Sequence, residues 1–324
     1  MCDELDEGYF ESYAHHAIHE EMLKDTVRTL AYRDAMLKNN HLFKDKVVLD
    51  VGCGTGILSM FAAQAGARLV IGVDKSNIVA TAQKIVERNG LSDRVTLVRG
   101  AIEDVQLPVA EVDIIVSEWM GYFLLYEAML DSVLFARDRY LKKDGLLFPD
   151  RATLRLAALE DAVYKMDKIY FWEDVYGFDM SEMQRKALAD PVVDFVPQKY
   201  VCTDVATLRE FDLKTVQKSD LSFASQFALT LARNDMVHGF VGFFTCTFSS
   251  CTPEVVLSTA PDTKRTHWKQ CVFYLARDIL GDTGKQINGT LLCRPHPKNK
   301  RNLEIDIEYS YDGNESERLH FNFG

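Results

Sequence analysis

The chain has 324 residues, of which 47% are hydrophobic and 26% charged, which excludes disordered and fibrous classes and leaves room for two folded domains. A net charge of -11 opposes binding to nucleic-acid phosphates and to anionic membrane surfaces, and it favours a basic partner. The seven cysteines are scattered without CxxC spacing, so we expect reduced thiols and no structural zinc site.

The first half of the chain predicts helices followed by an α/β domain. Its first residues, MCDELDE, are acidic where a signal peptide is basic and then apolar, and no apolar run could span a bilayer, so we expect an intracellular protein. Apolar positions at helical spacing in residues 9–43 predict one or two helices. Strands are then predicted at 47–51, 69–73, 94–98, 112–116 and near Leu146, and helices at 57–64, 78–87 and 125–141. This alternation predicts a doubly wound, Rossmann-like sheet.

After Pro149 the pattern changes to the alternation typical of antiparallel strands, which predicts a β barrel or sandwich. The predicted strands are 152–159, 223–232, 237–248, 255–259, 270–276, 287–293 and 303–311. Residues 164–180 instead carry six aromatic side chains with helical character and predict an insertion with exposed apolar surface. The basic run 298–301 is interpreted as a solvated turn between two strands.

A glycine loop follows the first strand. Asp50 is followed by Gly52, Gly54 and Gly56, and glycines at these places let a ligand touch the backbone. The spacing is GxGxG rather than the GxGxxG of dinucleotide-binding proteins. The charge of Asp50 would oppose a diphosphate but suit a cationic ligand such as a sulfonium. The loop therefore predicts a nucleotide-like, cationic cofactor.

Two more carboxylates follow strands of the same predicted sheet. Asp74 ends the second strand, where acidic residues bind ribose hydroxyls, and Glu103 follows the third strand, within reach of an adenine amine. Either residue alone is explained equally well as a solvated loop carboxylate. Together with Asp50 and the glycine loop, they favour a cofactor site.

The fourth strand runs into an aromatic loop bracketed by Glu118 and Glu127. A hairpin that turns near Gly121 would bring both carboxylates into one pocket. Spacing alone favours a simpler explanation, in which one carboxylate lies in a loop and the other stabilises a helix N-terminus.

The loop from Glu118 to Glu127 resembles the "double-E loop" of protein arginine methyltransferases. Residues 9–13 (YFESY) resemble the YFxxY motif of that family, and residues 266–268 resemble its THW loop. The resemblance covers almost the whole chain, from about Tyr9 to the C-terminus. It implies an S-adenosylmethionine-binding domain over residues 1–148, a β-barrel substrate domain over 149–324, and a helical dimerisation arm at about 162–190.

The resemblance also implies a reaction: direct transfer of a methyl group from S-adenosylmethionine to a protein arginine, with S-adenosylhomocysteine as product and no metal. Glu118 and Glu127 would grip the planar guanidinium from two sides and orient one nitrogen. Without substrate the two acids should repel each other. His267, paired with Asp25, would provide a route for the released proton or orient the double-E loop. The predicted catalytic residues are Met22, Asp25, Glu118, Glu127 and His267.

The resemblance assigns Arg28 to the carboxylate of the cofactor, with His19 nearby, and packs Tyr13 and Met22 around the reacting group. The predicted cofactor site comprises Tyr13, His19, Met22, Arg28, Asp50, Gly52, Gly54, Asp74, Lys75, Ile102, Glu103, Glu118 and Met129. One departure is Asp74, because many relatives have glutamate there. Cys53 in the glycine loop is interpreted as a small buried residue, with an oxidant-sensitive thiol as the alternative.

Met22 favours the asymmetric dimethylated product of type I enzymes, because relatives that make the symmetric product tend to carry a bulkier aromatic residue there. The family further implies Arg-Gly-rich RNA-binding proteins and histone tails as substrates, and both nucleus and cytoplasm as locations. It implies a homodimer through the arm, with higher oligomers as an extension, and no direct binding to nucleic acid or membrane. Three alternatives stay open: a methyltransferase for small molecules or nucleic acid, a non-catalytic scaffold, and an NAD-dependent dehydrogenase.

Overall fold

The computed structural model describes residues 15–324, so Tyr13 and the YFxxY motif lie outside the described residues. Its first elements are the helices α1 (His16–Lys24), α2 (Thr26–Leu37) and α3 (Asn40–Phe43), where the sequence predicts one or two. Asp25 separates α1 from α2 because its backbone is extended, with ψ at 93°. The Asp25 carboxylate then caps α2 by accepting the Arg28 N–H at 3.0 Å.

The next part is a five-stranded sheet with the order β3-β2-β1-β4-β5, in which every paired strand is parallel. Its strands are β1 (Val47–Val51), β2 (Leu69–Asp74), β3 (Val95–Arg99), β4 (Val112–Val116) and β5 (Leu141–Phe148). Three helices connect them: α4 (Ile57–Gln64), α5 (Val79–Arg88) and α6 (Leu130–Tyr140). The strand order reverses between β1 and β4, which is where ligands bind in open α/β sheets.

The helix predicted from Leu125 begins instead at Leu130. Glu127 and Ala128 have left-handed backbones, with φ at 75° and 57°, and this conformation cannot continue a right-handed helix. Glu127 therefore lies in a loop rather than at a helix N-terminus.

Antiparallel strands make up the second half of the chain. They are β6 (Arg151–Leu159), β7 (Val192–Asp194), β8 (Ala206–Asp212), β9 (Phe223–Thr230), β10 (Asp235–Phe248), β11 (Val255–Ser258), β12 (Gln270–Gly281), β13 (Gln286–Pro295), β14 (Leu303–Tyr311) and β15 (Glu317–Phe323). One sheet has the order β7-β12-β10-β6-β8 with β11 added to β10, and the other has the order β15-β14-β13-β9.

The two antiparallel sheets enclose one core. The Phe240 ring of β10 lies 5.6 Å from that of Phe227 and 5.4 Å from that of Tyr309, both of which belong to the opposite sheet. The predicted α/β plus all-β architecture is confirmed. Three strands, β7, β8 and β15, were not predicted; each lies at the end of its sheet, and β7 has only three residues, too few for an alternating pattern to be recognised.

The insertion between β6 and β7 is an arm of short helices. It contains α7 (Ala162–Tyr164), a π-helix (Lys165–Ile169), a 3-10 helix (Tyr170–Glu173) and α8 (Ser181–Ala189). Its exposed apolar side chains are Val163, Met166, Phe171, Tyr176, Phe178, Met180 and Met183. Lys165 is fully buried at the base of the arm, where its ammonium donates to the Leu275 carbonyl at 2.7 Å and to Asp278 Oδ1 at 2.6 Å. The arm thus projects an apolar surface from an anchored base.

The first helices join the two halves of the chain. α2 packs against α4 of the parallel sheet and also against β11. The Asn39 side chain accepts the Thr252 N–H at 2.8 Å, next to the end of α2. No helix among residues 15–324 is long and apolar enough to cross a membrane.

Candidate active site

A cavity of about 520 Å³ lies at the carboxyl ends of β1 and β4, a size suited to a nucleoside-based ligand. Helix α1, the glycine loop, the double-E loop and residues of the antiparallel half form its walls. The site residues predicted from the sequence that line it are His19, Met22, Arg28, Gly52, Gly54, Asp74, Lys75, Ile102, Glu103, Glu118, Glu127, Met129 and His267. The cavity therefore brings together both glutamates and, among residues 15–324, all of the predicted cofactor residues except Asp50.

The glycine loop lies tightly against its neighbours. Gly52 has a φ of +75°, a backbone conformation that is strained for any residue with a side chain, and a Cβ there would also displace the Met129 methyl group, whose Cε atom would lie 2.2 Å away. The Gly54 N–H donates to Asp74 Oδ2 at 2.9 Å, while Asp74 Oδ1 accepts from the Ser76 N–H and hydroxyl at 2.8 and 2.7 Å. These bonds fix the Asp74 carboxylate at the cavity wall, where its remaining lone pairs can accept from ribose hydroxyls. The aspartate thus supplies the polar group expected of the longer glutamate.

Glu103 lies at the edge of the cavity. Its side chain is exposed, and Oε1 accepts the Ser132 hydroxyl of α6 at 2.7 Å. This bond holds the carboxylate near the start of α6, next to Met129. Such a position suits contact with the amine of a base.

Asp50 is the exception among the predicted cofactor residues, since it is fully buried and is not part of the cavity wall. Its Oδ2 accepts the Ser59 hydroxyl at 2.6 Å, whereas Oδ1 has no hydrogen-bond partner. Burial raises the pKa of Asp50 to about 7, and nearby Asp74 acts in the same direction. The prediction that Asp50 directly contacts a cationic ligand is therefore corrected, because Asp50 lies behind the loop. Its carboxyl group is also only partly charged near neutral pH.

The double-E loop folds back on itself, as a shared pocket requires. The Gly121 N–H donates to the Leu124 carbonyl at 3.0 Å, which closes a tight turn. A Cβ at Gly121 would lie 1.9 Å from the Tyr126 carbonyl oxygen, so only glycine permits this close approach. Glu118 before the turn and Glu127 after it both line the cavity.

Arg28 changes the electrostatics expected of the two acids. Its Nε donates to Glu118 Oε2 at 2.9 Å, and both side chains are at least nine-tenths buried. The expected repulsion between Glu118 and Glu127 is thus offset by a cation on one of them. Because Arg28 itself lines the cavity, it can pair with Glu118 and still face a ligand carboxylate.

His267 lines another wall of the cavity and pairs with the buried Asp25, which is not part of the wall. His267 Nδ1 lies 2.8 Å from Asp25 Oδ2, and the same oxygen accepts the backbone N–H of His267 at 2.8 Å. Burial raises the pKa of the Asp25 carboxyl, but the hydrogen bonds from His267 and Arg28 outweigh it and leave that pKa below its usual value. Asp25 is therefore an anion that orients His267, with Nδ1 as donor and Nε2 as the basic nitrogen.

The antiparallel half supplies two contacts that the sequence did not predict. The Trp268 indole donates to the Met120 carbonyl at 2.8 Å, and residues 298–301 line the cavity. The basic run was interpreted as a solvated turn, but Arg301 hydrogen-bonds to the backbone of Glu127. No local pattern signals this contact, because the two residues are far apart in the sequence and each turn looks ordinary by itself.

The cavity meets the requirements of a nucleoside cofactor. The glycine loop leaves room for backbone contact, the fixed Asp74 carboxylate presents acceptors, and Arg28 presents a cation. Among residues 15–324, no cluster of histidine, cysteine, aspartate and glutamate could hold a metal ion. The Cys53 thiol is buried and its pKa is raised by that burial, which supports its interpretation as a small buried residue.

Comparison with known proteins places the chain in a family. Residues 48–145 match the methyltransferase domain family, and residues 150–314 match the arginine methyltransferase oligomerization subdomain. Protein arginine N-methyltransferase 1 of Schizosaccharomyces pombe is 57% identical to the chain over 310 residues, which cover 96% of the chain and 91% of that protein. The chain belongs to the protein arginine N-methyltransferase family.

Other members of this family are also similar to the chain in sequence and in structure. Protein arginine N-methyltransferase 1 of Saccharomyces cerevisiae is 54% identical, covering 96% of the chain and 90% of that protein. A chain of the Trypanosoma brucei PRMT1 enzyme-prozyme heterotetrameric complex with AdoHcy is 44% identical, covers 97% of this chain and all of that one, and superposes with a TM-score of 0.94. Arabidopsis thaliana protein arginine methyltransferase 10 is 32% identical, covers 98% of this chain and all of that one, and has a TM-score of 0.89.

Replacing Asp50 with asparagine should change how stability depends on pH. The folded-state pKa of Asp50, about 7, lies above the unfolded value, so the folded protein binds a proton at this carboxyl more tightly than the unfolded chain does. As the pH rises toward 7 this proton is lost, and the folded state loses stability. Asparagine does not titrate, so Asp50→Asn should not lose this stability. Between pH 5 and pH 8, the free energy of unfolding of the variant should therefore rise by roughly 3 kcal/mol relative to that of the unchanged protein. Urea denaturation at both pH values measures the difference.

The control is Asp93→Asn, because the Asp93 side chain is 74% exposed. This variant should follow the unchanged protein at both pH values. An Asp50→Asn variant that shows the same pH dependence as the control would contradict the assignment of a buried, proton-binding Asp50.

Proposed function

We propose that the protein transfers methyl groups from S-adenosylmethionine to the guanidinium nitrogen of arginine in proteins. One observation supports this above the others: the double-E loop places Glu118 and Glu127 in the same cavity as the glycine loop. A guanidinium is planar and always charged, so carboxylates recognise it well. Membership of the arginine methyltransferase family supports the same reaction.

Residues of the parallel half would hold the cofactor. Asp74, fixed by Gly54 and Ser76, would accept the ribose hydroxyls, and Glu103 would accept the adenine amine. Arg28 would bind the carboxylate while it keeps its bond to Glu118. S-adenosylmethionine supplies the methyl group at its sulfonium centre.

Glu118 and Glu127 would orient the arginine. Pairing with both carboxylates holds the guanidinium plane and leaves one terminal nitrogen directed at the methyl carbon. It also concentrates positive charge on the paired nitrogens, so the attacking nitrogen keeps more electron density. Positioning and electrostatics together lower the barrier, and the chain forms no covalent intermediate.

His267 would accept the proton that leaves the methylated nitrogen. Its Nδ1 is hydrogen-bonded to Asp25, which leaves Nε2 as the ring nitrogen that can accept a proton. The backbone N–H of His267 donates to the same Asp25 oxygen, which keeps the ring in a fixed orientation.

The dimethylated product is proposed to be asymmetric. Met22 lies half-buried in the cavity wall, where a flexible thioether leaves room that a bulky aromatic ring would occupy. Arg-Gly-rich proteins and histone tails are the proposed substrates, since their basic chains complement a net charge of -11. Such substrates would place the enzyme in both nucleus and cytoplasm.

The arm is proposed to form a homodimer. Its exposed apolar residues include Tyr176 and Phe178, whose exposed fractions are 97% and 68%. Several large apolar side chains exposed on one short segment are typical of a protein–protein interface. The match of residues 150–314 to an oligomerization subdomain supports this assignment.

Replacing Glu127 with glutamine tests the role of the carboxylate pair. The neutral amide keeps the shape of the side chain but loses the ionic pairing, so kcat on an Arg-Gly-rich peptide should fall at least about 100-fold. Affinity for S-adenosylhomocysteine, measured by calorimetry, should be unchanged. The control Glu254→Gln alters an exposed carboxylate on the antiparallel half and should keep full activity. Normal turnover by Glu127→Gln would rule out the carboxylate clamp.

Replacing Tyr176 and Phe178 together with serine tests the arm. The double variant should sediment as a monomer at concentrations where the unchanged protein is a dimer, because it loses two large apolar contacts. The control replaces Val256 and Leu280, which are 51% and 74% exposed outside the arm, with serine and should remain dimeric. A dimeric arm variant, or a monomeric control, would show that the interface lies elsewhere.

A further inference from the structure

We propose that Arg301 is a positioning residue that holds Glu127 in the orientation needed for methyl transfer. The proposal rests on the proposed function, because it assigns a support to one of the two carboxylates that grip the arginine. Arg301 lies in the turn between β13 and β14, on the antiparallel half of the molecule.

Two hydrogen bonds join Arg301 to the backbone of Glu127. The Glu127 N–H donates to the Arg301 carbonyl at 2.7 Å, and Arg301 Nη1 donates to the Glu127 carbonyl at 2.9 Å. One residue therefore holds both polar groups of the Glu127 backbone. The bond from the guanidinium is charge-assisted and stronger than one between neutral groups.

Glu127 needs support from outside its own loop. Its φ of 75°, followed by 57° at Ala128, lies in the left-handed region that residues with a side chain occupy only at a cost. A strained backbone persists where surrounding contacts determine it. The contacts from Arg301 are of this kind, and they act directly at the strained residue.

The turn that carries Arg301 is itself well ordered by hydrogen bonds. Asn299 Oδ1 accepts the Arg301 N–H at 3.1 Å, and the His296 N–H donates to the Asn302 carbonyl at 2.9 Å. Strands β13 and β14 pair without a break from Ile287 with Tyr311 to Pro295 with Leu303. The hairpin thus offers a firm base from which Arg301 can fix the loop.

The antiparallel half, through Arg301, therefore determines the position of the Glu127 carboxylate. A shift of about 1 Å in a group that positions the substrate can lower the rate about 100-fold. Arg301→Ala removes the guanidinium bond but keeps the backbone bond, so the loop stays folded while Glu127 loses its precise placement.

The experiment compares Arg301→Ala, Arg301→Lys and Arg294→Ala. Arg294 is the matched control because it lies on the same hairpin and its guanidinium donates to Glu304 Oε2 at 2.7 Å and to Asp306 Oδ2 at 2.9 Å, outside the cavity. We measure kcat and peptide KM with an Arg-Gly-rich peptide, S-adenosylhomocysteine affinity by calorimetry, and hydrogen exchange of residues 121–128.

For Arg301→Ala we expect kcat to fall about 10- to 100-fold, with a smaller change in peptide KM and unchanged cofactor affinity. Exchange in residues 121–128 should become faster. Arg301→Lys keeps a charged donor and should recover part of the kcat. Arg294→Ala should keep kcat even if its stability falls.

The proposal is overturned if Arg301→Ala keeps the kcat of the unchanged protein, or if Arg294→Ala loses as much kcat. It is also overturned if the loss in Arg301→Ala appears mainly in cofactor affinity. These results differ from a failure of the proposed function, in which Glu127→Gln itself would turn over normally.

Discussion

Two carboxylates, Glu118 and Glu127, share one water-accessible cavity, and the surrounding structure has to hold them there in spite of their like charge. Arg28 pairs with Glu118 from α2, so one negative charge is already compensated before a substrate arrives. Glu127 remains directed to the same cavity, held by its backbone. Under the proposed function, an incoming guanidinium would meet an oriented pair of acceptors rather than two mobile side chains, which is the condition for catalysis by positioning.

Several groups at the cavity are held by hydrogen bonds from distant parts of the chain. Three hydrogen bonds come from the antiparallel half: His267 pairs with Asp25, the Trp268 indole donates to the Met120 carbonyl, and Arg301 donates to the Glu127 carbonyl. Arg28 of helix α2 donates a further hydrogen bond to Glu118. The antiparallel half therefore contacts the loop that carries the two carboxylates through Trp268 and Arg301. The site lies where the first helices, the parallel sheet and the antiparallel half meet, so its geometry depends on how these three parts are placed.

Much of the fold could be predicted from the sequence, because local signals determine it. The apolar run of β1, its glycine loop and the alternation after Pro149 each have one main structural explanation. The start of α6 was predicted too early, since no local signal reveals the left-handed backbone of Glu127. Asp50 was placed against the ligand because its sequence position allows that, whereas only the packing of Ser59 shows that it is buried. The contacts of Arg28 and Arg301 join residues far apart in the sequence, so they become visible only in the folded chain.

Methylation of protein arginine at this cavity is tested most directly by the position of a transferred methyl group. The protein is incubated with an Arg-Gly-rich peptide and S-adenosylmethionine carrying an isotope-labelled methyl group, and the peptide is sequenced by tandem mass spectrometry. We expect the label on arginine, first once and then twice on the same terminal nitrogen. Label on another residue, or a peptide that stays unlabelled while the cofactor is bound, would contradict arginine methylation by this protein.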